Sequence, residues 1–79
     1  MKAIVTVGLK PGVLDVQGKA VANALHGLGF NGVADARVGK VIELELAGDD
    51  RDQAFATVKD MCEKLLANTV IESYRVDIV

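Results

Sequence analysis

From Ala34 to Leu46 the side chains alternate without a break. The even positions read Ala34, Ala36, Val38, Lys40, Ile42, Leu44 and Leu46, while the odd ones include Asp35, Arg37, Gly39, Glu43 and Glu45. A period of two is the spacing of a strand with one apolar face. A hairpin inside the run would need turn residues and would break the parity. The pattern therefore predicts one long middle strand, bent at Gly39, where the missing side chain tolerates a kink. At ~3.3 Å per residue such a strand would reach roughly 43 Å, far beyond the usual length of about five or six residues. A chain of 79 residues cannot cover that length by itself. The apolar face therefore predicts burial against a second copy or a different subunit. Val38, Gly39, Lys40, Ile42 and Leu44 are the candidate interface residues, with Arg37 as a weaker one.

The flanking segments supply the other elements. Ala3, Val5, Val7 and Leu9 face one way and Ile4, Thr6 and Gly8 the other, which predicts a first strand stopped by Pro11-Gly12. Asp15 is a helix N-cap, and Val16, Ala20, Val21, Ala24, Leu25 and Leu28 follow at helical steps until Gly29 ends the run. Gly18 costs that helix about 1 kcal/mol relative to alanine, so something is expected to pack against its backbone, either a partner chain or the adjoining loop. Asp50 and Gln53 form a capping-box-like start to a second helix, whose apolar stripe is Ala54, Phe55, Val58, Met61, Cys62, Leu65 and Leu66. Tyr74, Val76 and Ile78 alternate with Ser73, Arg75 and Asp77 in a closing strand.

The expected fold is α+β. Two strand-helix-strand halves share the long middle strand, which becomes a four-stranded βαββαβ pattern if that strand counts as two. Residues 1–79 form a single domain. A chain this short buries only about 60% of its unfolded surface, so a partner surface would add stability.

Charge and composition exclude several classes. Nine Lys and Arg against eleven Asp and Glu leave a net charge of −2, without the basic excess that nucleic acid requires. No segment approaches the roughly 20 apolar residues of a membrane span. One cysteine makes no internal disulfide, and no apolar signal core follows Met1-Lys2, so a cytoplasmic location is expected.

No catalytic constellation stands out either. Gly12, Gly18 and Lys19 miss the Walker A spacing by one residue, and Ala20 stands where that loop has Ser or Thr. Gly27-Leu28-Gly29-Phe30-Asn31-Gly32 satisfies GxGxxG but leaves a helix instead of opening one, so it reads as a helix stop. Cys62 falls in an apolar stripe, and His26, the only histidine, falls on a polar face as a solvated residue. Together they cannot build a zinc site. Asp49, Asp50 and Asp52 suit a helix N-terminus better than a metal. Lys40 interrupts an apolar strand face. Its stem can lie along the core with the ammonium in water, or it can pair with a carboxylate across an interface.

Four stretches together resemble a known family: Lys10-Pro11-Gly12-Val13-Leu14-Asp15-Val16-Gln17-Gly18-Lys19-Ala20, Leu28-Gly29-Phe30, Arg37 to Leu44, and Leu65 to Tyr74. The chain is similar nearly end to end to PurS, the small subunit of phosphoribosylformylglycinamidine synthase. Thr69 stands where that family often has proline. The resemblance implies a non-catalytic subunit of a glutamine- and ATP-dependent ligase complex in purine biosynthesis. Its implied partners are a glutaminase subunit and a synthetase subunit, between which it helps ammonia to pass. No cofactor is then expected on this chain alone, since ATP and magnesium serve the synthetase. A homodimer or a dimer of dimers is expected. Lys10, Pro11, Gly12, Asp15 and Gly18 are the expected partner-docking loop, and Tyr74 is a weaker interface candidate. The alternative is a small-molecule-binding regulatory module of the ACT type, which requires a hairpin between its second and third strands.

Overall fold

The computed structural model describes every residue from Met1 to Val79. The elements follow in the order β1 (Lys2–Leu9), α1 (Val16–Gly27), β2 (Lys40–Glu45), α2 (Arg51–Met61) and β3 (Glu72–Ile78). The α+β class and the alternation of strands with helices are as expected. The three strands form one antiparallel sheet in the order β2-β1-β3, so the middle strand of the sequence lies at a sheet edge. Lys2 pairs with Glu45 and Val7 with Lys40 on one side of β1. On the other side Ala3 pairs with Ile78 and Leu9 with Glu72. No helix is long and apolar enough to cross a membrane.

The core lies between α2 and one face of the sheet. Ala3, Val5 and Val7 of β1 meet Val58 and Cys62 and are almost fully buried, and Ile42, Leu44, Leu66, Tyr74, Val76 and Ile78 close round them. Full burial of a side chain the size of Val58 stabilises by roughly 1.5–3 kcal/mol. Asp50 caps α2 by accepting the Gln53 amide at 3.1 Å. The helix then widens into a π-helical turn over Cys62–Leu66, closed by the Ala67 amide on the Cys62 carbonyl at 3.1 Å. That extra residue rotates the stripe. Leu66 comes back to the core, whereas Leu65 is turned into solvent, and Phe55 and Met61 also stay exposed. The apolar stripe expected from uniform helical spacing is thus corrected to Ala54, Val58, Cys62 and Leu66.

The long middle strand needs a larger correction. Only Lys40–Glu45 is paired, and residues 34–39 form a connector outside the ladder. Parity survives in part of it, with Ala36 and Val38 partly buried and Asp35, Arg37 and Gly39 exposed, while Ala34 is exposed as well. The hydrogen bonding does not survive, because the Val38 amide donates to Asp15 Oδ2 at 2.8 Å instead of to a strand. At Gly39 an added Cβ would stand 2.5 Å from the Val7 carbonyl oxygen, so the chain passes β1 too closely for any other residue.

Helix α1 lies apart from this core. Asp15 caps it and Gly29, at φ 97°, ends it, with Phe30 N–H returning to the Leu25 carbonyl. This confirms that the glycine-rich run is a helix stop. Only Gly18 and Ala22 are buried along α1, while Val21 is 41% and Leu28 75% exposed. The molecule measures 49 × 24 × 14 Å with a radius of gyration of 16.0 Å, against roughly 12 Å for a compact domain of this length. An extended protomer with a bare apolar helix face is the result.

Candidate partner-docking site

Where β1 ends, the chain turns through Lys10-Pro11-Gly12, and three backbone carbonyls are left without strand partners. Arg37 takes all three. Its Nη1 donates to Val13 O at 3.0 Å, and its Nη2 to Lys10 O at 2.9 Å and Leu9 O at 3.3 Å. The Lys10 amide is spent on Ile71 O, and the Val13 amide closes a turn on Lys10 O. Pro11 and Gly12 therefore stand at the tip of a hydrogen-bonded loop, both exposed.

Asp15 anchors the base of this loop. It is only 6% exposed, and its two oxygens divide the work. Oδ1 accepts the Gly18 amide at 2.7 Å, which caps α1, and Oδ2 accepts the Val38 amide, which ties down the connector. The Val38 bond, then the Gly18 bond, hold its carboxyl below the usual carboxylate range, with the charge of Arg37 adding to them. Gly18 is required here: a Cβ would run into the Ala36 carbonyl oxygen and the Asp15 carboxylate. The adjoining loop packs against that glycine.

Two open clefts flank the loop. Pro11, Gly12, Val13, Lys19, Asp35 and Arg37 help to line one. Leu9, Gln17, Gly39, Lys40 and Glu72 help to line the other. Lys10, Pro11 and Gly12 form the loop, Asp15 and Gly18 the start of α1 at its base, and Arg37 is hydrogen-bonded to the loop backbone. The strand candidates divide. Ile42 and Leu44 pack into the protomer's own core, as does Tyr74, so these are not bare interface residues. Burial, together with the nearby Glu63, pushes the Tyr74 hydroxyl pKa up. Val38 is half-buried and Gly39 is exposed. Lys40 sits opposite Val7 on the core face, yet it is exposed and joins none of the ion pairs Lys2–Glu43, Asp60–Lys64 and Arg75–Asp77.

Other residues differ from their sequence reading. His26 is exposed but not merely solvated, since its Nε2 donates to Val33 O at 2.6 Å and braces the loop after α1. Cys62 is fully buried, and burial, followed by the charge of Glu63, pushes its thiol pKa up, away from nucleophilic use. Sequence reasoning missed the connector's second tie to Asp15 and the bare stripe of Val21 and Leu28. The exposed stripe was legible as apolar; only its lack of a partner was not.

Known proteins resemble the chain over nearly its whole length. The chain matches the family PurS, described as phosphoribosylformylglycinamidine (FGAM) synthase, over residues 2–79. It is 54% identical over 77 residues to the Bacillus subtilis phosphoribosylformylglycinamidine synthase subunit PurS, covering 98% of this chain and 90% of that one. Its fold is similar to the crystal structure of Methanocaldococcus jannaschii PurS, with a TM-score of 0.86 at 38% identity, covering 96% and 92% of the two chains. A chain in the structure of PurLQS from Thermotoga maritima is similar too, with a TM-score of 0.89 at 32% identity over 99% of this chain and 95% of that one. Matched from residue 2 to its end, this chain belongs to the PurS family of phosphoribosylformylglycinamidine synthase subunits.

Proposed function

We propose that the chain is a non-catalytic subunit of phosphoribosylformylglycinamidine synthase, working in the cytoplasm in purine biosynthesis. It bridges a glutaminase and a synthetase subunit. ATP, magnesium and glutamine are handled by those partners, and this chain holds no cofactor of its own. The observation that carries this reading is its whole-length likeness to a chain of the Thermotoga maritima PurLQS structure. The chemistry gives a reason for such a helper. Ammonia released into neutral water is protonated, loses its nucleophilicity and is diluted, so a bridged path between two active sites conserves it.

The protomer's shape supports assembly with a second copy, as a homodimer or a dimer of dimers. The outer edge of β2 is unpaired, the connector over residues 34–39 has no ladder partner, and the α1 stripe is bare. Lys40, exposed and outside the protomer's ion pairs, supports pairing with a carboxylate of the second copy across that contact. A regulatory ACT-type module finds no counterpart in this topology, because α2 and not a hairpin joins the second and third strands.

The test is amidine formation by the synthetase and glutaminase subunits with and without this chain, using glutamine or free ammonium as nitrogen source. The bridging role expects the chain to restore the glutamine-dependent rate and leave the ammonium-dependent rate nearly unchanged. An equal glutamine-dependent rate in its absence would refute it.

A further inference from the structure

The loop at Lys10-Pro11-Gly12 has almost nothing to pack against. A Cβ at Gly12 would have no atom within 4 Å, and Pro11 contributes no N–H. Its shape must therefore come from hydrogen bonds. The Lys10 amide is satisfied by Ile71 O and the Val13 amide by Lys10 O, and one side chain, Arg37, gathers the carbonyls of Leu9 and Val13 and adds a second donor to that of Lys10. A planar guanidinium suits that task better than the compact ammonium of lysine, because its five donors spread in a fixed fork. Arg37 is itself steadied by its neighbour Val38, whose amide is fixed on Asp15. The line of support runs from Asp15 through Val38 and Arg37 to the loop tip.

We propose that Arg37 is a positioning residue: by holding the carbonyls of Leu9, Lys10 and Val13 it sets the orientation in which Lys10-Pro11-Gly12 is presented to the other subunits of the synthase. This rests on the reading of the chain as a bridging subunit. Arg37 touches no reacting atom, and its effect passes through the loop backbone. The guanidinium is exposed, so removing it leaves the sheet and its core in place.

Two measurements separate this proposal from the bridging reading. Amide hydrogen exchange on the isolated chain reads the loop alone. Arg37→Ala should speed exchange at Val13 by at least about tenfold while amides of β1 stay protected. Unchanged protection at Val13 would overturn the proposal whatever the chain's partners are. The second measurement is titration of each variant into the synthetase and glutaminase subunits, followed by the glutamine-dependent rate. Arg37→Ala should need at least about tenfold more chain for half-maximal rate, and the ammonium-dependent rate should not change. Guanidinium chloride at tens of millimolar should recover much of the loss, where sodium chloride at equal ionic strength does not. Arg37→Lys, with a point charge in place of the fork, should recover little. Full activity of Arg37→Lys, or no rescue by guanidinium, would overturn the positioning role. If the natural chain itself fails to raise the glutamine-dependent rate, the bridging reading falls and the exchange result stands alone.

Discussion

The Val38 amide donates to Asp15 Oδ2 at 2.8 Å, across 23 positions of sequence. The bond joins the cap of α1 to the residue that would otherwise carry β2 past Lys40. One carboxylate thereby ends a strand and starts a helix.

That double role makes a pH prediction. The Asp15 carboxyl is held low by the Val38 amide first, then the Gly18 amide, with Arg37 contributing. A lowered folded value means stabilisation that is fully present above the unfolded carboxylate pKa of about 3.9 and is lost as pH falls through the folded value. Thermal unfolding followed from pH 7 down to the acid limit should show the melting temperature falling in that range. Asp15→Asn keeps one acceptor but turns an NH2 toward one of the two amides. It should melt lower at pH 7 and show a shallower acid slope. An acid slope equal to that of the natural chain would assign the pH dependence to other carboxylates.

Gly18 gives a prediction against helix propensity. Alanine is favoured over glycine in a helix by about 1 kcal/mol. At this position a Cβ would strike the Ala36 carbonyl oxygen, which is backbone and cannot swing aside. Gly18→Ala should therefore destabilise by about 1–3 kcal/mol in urea unfolding. Gly27→Ala, where the added Cβ meets nothing within 4 Å, should be neutral or stabilising. A stabilising Gly18→Ala would mean that the connector over residues 34–39 is free to move away.

Cys62 offers a probe of the core. It has no exposed surface and its thiol pKa is raised by burial and then by Glu63. Labelling with a thiol-selective reagent at neutral pH should follow global opening of the α2 face and accelerate only as denaturant approaches the unfolding midpoint. Cys62→Ser, which places a hydroxyl among Val5, Val7 and Val58, should cost about 1–3 kcal/mol. Rapid labelling of the native chain would show that the π-helical turn opens on its own.

How far the sequence could be read depends on the range of the interactions. Local signals were sufficient for β1, for α2 with its Asp50 and Gln53 start, and for the Gly29 stop, since each is written in spacing over a few residues. Alternation over 34–46 reported which way side chains face, but it is blind to whether a backbone has a partner. The ladder therefore stops at Lys40 while the parity runs on. The π-helical turn hides in the same way, because Leu65 and Leu66 look interchangeable until one extra residue is inserted. Arg37 reaches carbonyls 24 to 28 positions away, and no local pattern announces such a clasp. The family resemblance drew attention to the loop, and the geometry shows how its backbone is held.

The edge of β2 carries the last prediction. Val41 is 63% exposed on the sheet face away from α2, whereas Ile42 points into the protomer's own core. The two neighbours should respond differently to the same change. Ile42→Asp buries a charge and should unfold the chain or drive it to aggregate. Val41→Asp leaves the protomer core untouched and places a charge beside the unpaired edge, where strand pairing or close packing with a second copy would be opposed. By light scattering coupled to size-exclusion chromatography, the natural chain should elute as a dimer or tetramer and Val41→Asp as a folded monomer. If Val41→Asp keeps the natural mass, β2 is not the contact, and the bare stripe of Val21 and Leu28 on α1 becomes the surface to substitute.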